Sequence, residues 1–236
     1  FMLAAMAARG VDTSACIVDP ALSTGLSVIL ARPDDRAILT HLGTMPALRP
    51  EQVAPALLQR VRHVHVGSYF LLYALQPGLP AIFAAAQAAG ATTSVDTNWD
   101  PSGRWNSGLE ALWPHTNLFL PNTTEAQRIA GVGDLEIALD MLAAKIGTLA
   151  VKLGAQGALA RQGETVVHQP GYPVKVVDTV GAGDSFNAGF LYATLQGWPL
   201  AERLRLANAC GALSTRAAGG TAAQATLEEA MALAGL

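Results

Sequence analysis

The sequence is poor in charge, and this shortage excludes two classes of protein. Charged residues make up 14% of the 236 residues, and the net charge is −3 with no cluster of Lys and Arg. A nucleic-acid surface needs such a cluster, so we expect no nucleic-acid partner. Apolar residues reach 51%, which is too high for a disordered chain and is enough for one large α/β domain.

Long apolar runs and signal sequences are also missing. No apolar run reaches the roughly 18 residues of a membrane span, so we expect no membrane partner. No signal-peptide pattern is present. The only cysteines, Cys16 and Cys210, lie far apart in apolar contexts. We interpret them as two buried thiols in a reducing cytoplasm, and a disulfide between them is the alternative.

The first ten residues resemble the interior and the end of a helix. Gly10 suits the position that follows a helix C-terminus, but no N-cap residue precedes Phe1. The pattern therefore predicts that a further N-terminal segment belongs before Phe1.

Strand-like apolar runs alternate with helical patterns between about residues 60 and 155. This alternation predicts a mostly parallel sheet covered by helices. The stretch 15–40 has strand patterns without helices between them, which predicts a small antiparallel extension, and Gly163 marks the turn of a hairpin. The predicted strands are 15–19, 26–31, 37–40, 63–68, 92–98, 118–122, 148–154, 157–162 and 164–169. The predicted helices are 49–62, 79–90, 122–131, 134–147 and most of the chain after 186.

Polar or glycine residues follow several of these strands. Open parallel sheets bind ligands outside the carboxyl ends of their strands, so these positions are site candidates. They are Gly67–Ser68, Asp96–Asn98, Asn122–Glu125 and Lys152–Gly154.

The stretch "DTVGAGDSFNAGF" at 178–190 places three small residues and an aspartate directly before an apolar helical pattern. A helix N-terminus carries about four free N–H groups and roughly half a positive charge. Gly181, Ala182 and Gly183 leave those groups open to an anion such as phosphate. Asp184 could then accept a proton from an attacking hydroxyl. The alternative is that Asp184 only caps the helix and that the glycines only form a turn.

Two nucleotide-binding motifs are absent, whereas a helix-capping pattern is present. Neither G-x-x-x-x-G-K-[ST] nor G-x-G-x-x-G occurs, which excludes a Walker loop and a dinucleotide fold. The N-x-x-E spacing of Asn122 and Glu125 suits an N-cap residue with a capping-box glutamate.

Together these segments resemble the ribokinase-like (PfkB-type) carbohydrate kinases. "DTVGAGDSFNAGF" resembles the family's C-terminal signature, "LFLPNTTEA" its P-N-x-x-E-A segment, and "VKLGAQGA" its nucleotide-side turn. "GVDTS" and "ANACGALSTRAAGG" resemble the turn before the lid and the helix that closes the nucleotide pocket. The resemblance implies a single α/β domain over 1–236, with a three-layer fold and a small β lid from about residues 12–40. It also implies that about sixty family residues precede Phe1.

The resemblance implies a role for each matching residue. Asp184 would be the base, and Gly181, Ala182 and Gly183 the anion hole. Asn122 and Glu125 would organise Mg²⁺, partly through water. Their spacing fits this implied role, because the two residues share one face at a helix start and their oxygens suit Mg²⁺ with several retained waters. The capping box is the alternative, and both roles are compatible. The nucleotide pocket would include Lys152, Gly154, Gly157, Thr179 and Asn208, and the sugar site Asn187 and Asp12. Asp178 would hold a monovalent cation such as K⁺.

Some of these roles have simpler alternatives. Lys152 could be a strand-end lysine that reaches out to solvent, and Asp12 could only form a turn. The stretch "DTNWDPSGRW" at 96–105 is similar to the D-x-N-x-R…W stretch of fructokinase-like and ketodeoxygluconate kinase-like members. However, Asp100 stands where those members have arginine, so no anion-binding role is transferred to it.

The expected activity is transfer of the γ-phosphoryl group of ATP to a hydroxyl, of the primary type, on a small sugar or sugar acid. The resemblance implies ATP and Mg²⁺ as cofactors, a cytoplasmic location, and allows a homodimer through the lid. Two alternatives stay open. They are a non-catalytic relative that binds nucleotide or sugar, and a vitamin kinase of the same superfamily.

Overall fold

The computed structural model describes residues 1–31 and 36–236. The chain divides into two compact units, Phe1–Ala47 and Leu48–Leu236. In the described residues the helices are α1 Met2–Ala7, α2 Pro55–Leu58, α3 Leu79–Ala88, α4 Leu109–Leu112, α5 Thr123–Ala130, α6 Leu135–Ala143, α7 Ala182–Leu195, α8 Leu200–Ser214 and α9 Leu227–Ala234. The strands are β1 Leu26–Ala31, β2 Arg36–His41, β3 His63–Val66, β4 Thr92–Val95, β5 Leu118–Phe119, β6 Thr148–Lys152, β7 Ala158–Gln162 and β8 Thr165–Gln169.

The first unit contains the predicted small antiparallel element. Strands β1 and β2 pair antiparallel, with Leu26 opposite His41. The predicted strand at 15–19 is wrong, because these residues form no ladder and Ile17 and Val18 are exposed. Apolar content alone does not make a strand where no partner edge is available. Residues 32–35 of the predicted lid lie outside the described residues.

The second unit is built on a six-stranded sheet in the order β3-β4-β5-β6-β7-β8. The first four strands are parallel, and β7 and β8 add antiparallel. The β7–β8 hairpin turns at Gly163, where φ is +57°, as predicted. This mostly parallel sheet confirms the predicted fold class.

Both faces of the sheet are buried, which makes three layers. Phe119 and Leu149 point to one side, where they pack with residues of α3 to α6. Their sequence neighbours Leu118 and Ala150 point to the other side, toward α7 and α8. This alternation is the two-residue period of a strand that is covered on both faces.

The predicted helix at 49–62 is wrong in its extent. The structure has a 3-10 helix at Pro50–Gln52 and only four α-helical residues at Pro55–Leu58. A proline disfavours helical backbone in the residue before it, and Ala54 is indeed extended, with ψ of 126°. The break therefore follows from Pro55.

The two cysteines are free thiols. Cys210 is half-buried, and burial raises the pKa of its thiol to about 11. The prediction that Cys16 is also buried is wrong, because its side chain is exposed. No described helix is long and apolar enough to cross a membrane.

Candidate active site

Helix α7 begins with an open first turn, as its sequence predicted. Gly181 is the N-cap residue, with φ of +75°, and no side chain caps the helix. A Cβ on Gly181 would lie 2.8 Å from the Gly220 carbonyl oxygen, so only glycine fits both the backbone and the close approach. Within residues 1–31 and 36–236, the N–H groups of Gly183 and Asp184 make no backbone hydrogen bond. They are therefore available to an anion.

Asp184 lies in this first turn without capping it. No described residue donates a hydrogen bond to its carboxylate, so the helix-cap alternative has no support in the geometry. Asp184 is exposed as a residue, yet the surrounding protein still limits the hydration of its carboxylate. This partial burial raises the pKa of Asp184, the charge of Asp96 raises it further, and Lys152 opposes both. The carboxylate thus remains accessible and unpaired, as a general base requires.

Lys152 ends strand β6 and does not reach out to solvent, so that alternative for Lys152 is wrong. Its side chain is only 15% exposed, and its Nζ lies 2.6 Å from Asp96 Oδ2. A Cβ built on Gly183 would lie 3.6 Å from the same Nζ. The ammonium therefore sits directly beside the open first turn of α7.

Asp96 follows strand β4 and connects Lys152 to helix α7. Its Oδ2 accepts hydrogen bonds from Lys152 Nζ and from Asn187 Nδ2, both at 2.6 Å. Its Oδ1 accepts from the Asn98 backbone N–H. Burial tends to raise the pKa of Asp96, but Lys152 and these hydrogen bonds together hold it below its usual value. Asp96 is therefore an ionised, buried carboxylate.

Asn187 lies three residues after Asp184 on α7 and is 2% exposed. Its amide is held by Asp96 and by Lys152, whose Nζ donates to Asn187 Oδ1 at 3.3 Å. These contacts connect Asn187 to the charged pair, and its predicted contact with sugar stays a prediction.

Asn122 and Glu125 form the capping box that was the alternative reading for them. Asn122 Oδ1 accepts from the Glu125 N–H, and Glu125 Oε2 accepts from the Asn122 N–H, both at 2.9 Å. Asn122 Nδ2 also donates to Glu125 Oε1 at 2.7 Å. Burial first, and then the charge of Asp96, raise the pKa of Glu125 to about 7. The segment lies beside Lys152, since Asn122 and Lys152 form an isolated parallel bridge.

The predicted nucleotide-side residues follow β6 and flank β8. Gly154 and Gly157 have φ of +61° and +98°, and a Cβ on Gly157 would lie 2.0 Å from the Gln169 carbonyl oxygen. Asn208 on α8 is buried and donates to that carbonyl at 2.9 Å. Thr179 is exposed in the loop before α7, where its carbonyl oxygen accepts from the Ala182 N–H.

Asp178 connects the loop before α7 to the loop after α8. Its Oδ1 accepts from the Val180 N–H at 3.0 Å, and its Oδ2 accepts from the Gly219 N–H at 2.9 Å. The monovalent-cation role of Asp178 stays a prediction. Asp12 belongs to the other unit, where its Oδ1 accepts from the Ser14 N–H, as in the turn-forming alternative.

A chain of hydroxyls and imidazoles adjoins Asp96 at the edge of the sheet. Ser94 Oγ lies 2.7 Å from both His63 Nε2 and His65 Nδ1. Burial lowers the pKa of His63 to about 4, and it also lowers the pKa of His65 despite the charge of Asp96. These histidines are therefore neutral strand residues. In the described part of the chain, no three His, Cys, Asp or Glu side chains cluster as a direct metal site would require.

No role was predicted for Asp96 from the sequence, although the segment 96–98 lies at the end of a predicted strand. The signal was its position after a buried strand, β4, which neighbours the strand that precedes Asn122 and lies one strand away from that of Lys152. What the sequence could not show is that Asp96 and Lys152, 56 residues apart, share a hydrogen bond.

Comparison with known proteins identifies the family. Residues 1–227 match the pfkB family of carbohydrate kinases. The chain belongs to this family. It is therefore a carbohydrate kinase, and the resemblance seen in the sequence is confirmed.

Two relatives show how far the similarity extends. An uncharacterized sugar kinase of Archaeoglobus fulgidus is 28% identical over 211 residues, which cover 88% of this chain and 82% of that protein. An ATP-dependent ribose-1-phosphate kinase of Halopiger xanaduensis is 30% identical, over 87% of this chain and 66% of that protein. The similarity is thus spread over most of this pfkB kinase rather than confined to one motif.

A solved structure shows the same fold. An E. coli protein provisionally named ribokinase II, in complex with ATP and Mg²⁺, superimposes with a TM-score of 0.88 at 24% identity. The match covers 98% of this chain and 77% of that one. The fold of this pfkB kinase is therefore ribokinase-like.

Proposed function

We propose that this pfkB kinase transfers the γ-phosphoryl group of ATP to a primary hydroxyl of a small sugar or sugar acid. The observation that carries the proposal is the first turn of α7. There an unpaired carboxylate, Asp184, lies beside open backbone N–H groups and the Lys152 ammonium. Phosphoryl transfer depends mainly on such positioning and electrostatic stabilisation.

Each group has one role in the proposed reaction. Asp184 accepts the proton of the attacking sugar hydroxyl. The turn formed by Gly181, Ala182 and Gly183 receives the negative charge of the transferred phosphoryl group at its open N–H groups, those of Gly183 and Asp184. Because these dipoles are fixed before the reaction, they need no reorganisation as the charge develops.

The remaining site residues would bind the substrates. Gly154, Gly157, Thr179 and Asn208 would line the nucleotide side, and Asn187 would contribute to the sugar side. The contact of Asp12 with sugar stays a prediction. Asp178 would contribute to a monovalent cation site, for which K⁺ is the candidate. In support, Asp178 connects the loop before α7 to the 215–220 loop, because its Oδ2 accepts a hydrogen bond from the Gly219 N–H.

The Asn122–Glu125 pair fits a magnesium ion held through water. Both Glu125 oxygens already accept hydrogen bonds from Asn122, and the described residues build no direct cage of three ligands. Mg²⁺ keeps several of its waters in such sites. When bound, it would neutralise part of the phosphate charge. Glu125 would orient its waters, and Asn122 would fix the carboxylate.

The cellular setting is also part of the proposal. We place the enzyme in the cytoplasm, with ATP as donor. The predicted lid region, about residues 12–40, would be the part of the chain through which a homodimer could form. A native molecular-mass measurement in solution tests the dimer.

The experiment that tests the activity is ADP release from ATP across a panel of sugars, sugar acids, sugar phosphates and nucleosides. The expected result is ADP release that depends on one class of acceptor, with loss of that release in Asp184→Asn. Nucleotide binding without acceptor-dependent release on any member would instead favour a non-catalytic relative. Release with a vitamin alcohol alone would favour the vitamin-kinase alternative.

The pKa of Glu125 makes the magnesium requirement depend on pH. With a pKa of about 7, Glu125 is mostly protonated at pH 6 and mostly ionised at pH 8. A protonated carboxyl is a poorer partner for metal-bound water. We therefore expect the Mg²⁺ concentration for half-maximal activity to be up to about tenfold higher at pH 6 than at pH 8.

Glu125→Gln should raise the Mg²⁺ requirement and remove its dependence on pH, and Asn122→Ala should raise it as well. Glu164→Gln, in the exposed β7–β8 turn, is the matched control and should behave as the wild type. Unchanged Mg²⁺ dependence in both site variants would leave the pair with its capping role alone.

A further inference from the structure

The pair formed by Asp96 and Lys152 is buried, although such pairs rarely stabilise a fold. The side chains are 11% and 15% exposed, and Asp96 Oδ2 lies 2.6 Å from Lys152 Nζ. Desolvation of two charges largely cancels their attraction, so replacing a buried pair by apolar residues is often neutral for stability. Stability of the fold therefore does not explain why this ion pair is buried here.

The pair lies where the ends of two strands and one helix meet. Asp96 follows β4, Lys152 ends β6, and Asn187 is one turn into α7. The Asn187 amide bonds both charges, donating to Asp96 at 2.6 Å and accepting from Lys152 at 3.3 Å. Lys152 is thus held on two sides, and its flexible side chain has one supported position.

That position faces the first turn of α7. The space that a Cβ on Gly183 would occupy is 3.6 Å from Lys152 Nζ. An ammonium has three donors, and the contacts in the described residues use two of them, to Asp96 and Asn187. The third N–H is available to an oxygen atom bound beside Gly183.

We propose that Asp96 is a positioning residue, which with Asn187 holds the Lys152 ammonium against the first turn of α7, where Lys152 binds an oxygen of the transferring phosphoryl group. This proposal rests on the proposed function, since it assumes that the turn receives that group. Asp96 then has a role in catalysis, and Lys152 contacts the transferred phosphoryl group rather than only lining the nucleotide pocket.

The Asp96–Lys152 pair also influences the pKa of Asp184. Among the described residues, Asp96 after β4 and Lys152 at the end of β6 act on the charge of Asp184. Glu125 from α5 and His65 from β3 interact in turn with Asp96 and Lys152. His65 is neutral, because burial lowers its pKa. Asp96 raises the pKa of Asp184 and Lys152 lowers it. The acidic limb of the pH profile is the fall of kcat at low pH as Asp184 becomes protonated. Removing the charge of Asp96 or that of Lys152 should therefore shift this limb, in opposite directions.

The test is a double-mutant cycle with Asp96→Asn, Lys152→Met and the double variant, measured as kcat and KM from pH 5 to 9. Loss of one fixed donor to developing charge costs about 10²–10³-fold in kcat, so we expect this for Lys152→Met. Misplacement of the ammonium in Asp96→Asn should cost up to about 10²-fold. The double variant should be no worse than Lys152→Met, because Asp96 then has nothing left to position.

The pH profiles separate positioning from a merely structural role. The acidic limb of kcat should move to lower pH in Asp96→Asn and to higher pH in Lys152→Met. Asp96→Glu keeps the charge but displaces the ammonium, so it should lower kcat with little movement of the limb. If Asp96→Asn does not fold, Asp96→Glu together with Lys152→Met decides the question.

The chain offers a matched control pair. Lys145 Nζ lies 2.6 Å from Glu110 Oε1, but this pair is exposed, so Lys145→Met and Glu110→Gln should leave kcat and the acidic limb unchanged.

Two results would overturn the proposal. One is that the losses in kcat of Asp96→Asn and Lys152→Met multiply in the double variant, and the other is that the acidic limbs of the two single variants do not move apart. Asp184→Asn is measured in parallel. If it retains turnover, the proposed function itself fails. If it loses turnover while the cycle is additive, only the positioning role fails.

Discussion

Asp184→Asn should lower kcat by about 10²–10⁴-fold, the usual cost of losing a general base, while the fold and the affinity for ATP stay unchanged. Asparagine has nearly the same shape, and no described residue donates to the Asp184 carboxylate, so no hydrogen bond is lost. Steady-state turnover with the best acceptor gives kcat, and nucleotide titration gives the affinity.

The pH profile adds a second readout to this prediction. Partial burial and Asp96 raise the pKa of Asp184. A base acts only when deprotonated, so wild-type kcat should fall as the pH drops through this raised pKa. The residual activity of Asp184→Asn should lack that limb.

The helix-cap interpretation predicts a different result. Asparagine caps helices about as well as aspartate, so a purely capping Asp184 would give near-wild-type turnover in Asp184→Asn. Such a result would remove the proposed mechanism. Glu202→Gln is a suitable control because Glu202 is also an acidic residue in the first turn of a helix, α8, and it should leave kcat unchanged.

The sequence predicted those parts of the site that depend on local backbone chemistry. Gly181 is the N-cap residue with positive φ, and the Asn122–Glu125 spacing gives a capping box. Both follow from a few adjacent residues, as does the β7–β8 turn at Gly163. The three-layer fold was predictable because strand and helix patterns alternate over a long stretch.

Features that depend on distant residues were not predictable. The Asp96–Lys152 bond joins two strand ends that a single sequence cannot pair, although β4 and β6 are separated only by β5. In the same way, Cys16 lies in an apolar segment but is exposed, because no strand pairs with it. Apolar pattern predicts burial only where a partner surface exists.

Substitutions at Gly183 should also have a large effect on turnover, because Gly183 lies in the open first turn of α7. Unlike Gly181, it has no positive φ, and among the described residues a Cβ there would lie 3.6 Å from Lys152 Nζ and 3.9 Å from Lys152 Cδ, which is ordinary van der Waals contact. A side chain that begins at this Cβ therefore causes no backbone strain. It would, however, fill the space in which a phosphoryl group would approach the N–H groups of the turn.

We expect Gly183→Ala to lower kcat modestly and Gly183→Val to lower it by about 10²-fold or more, the cost of losing contact with a fixed donor. Thermal unfolding should be unchanged or slightly raised, because glycine is the poorer residue inside a helix. Gly181→Ala should behave in the opposite way and lose stability, since its Cβ would lie 2.8 Å from the Gly220 carbonyl oxygen. Ala188→Val, at an exposed position of the same helix, is the control for side-chain size. If Gly183→Val turned over at the wild-type rate, the phosphoryl group would not approach this turn, and the anion site proposed here would have to lie elsewhere.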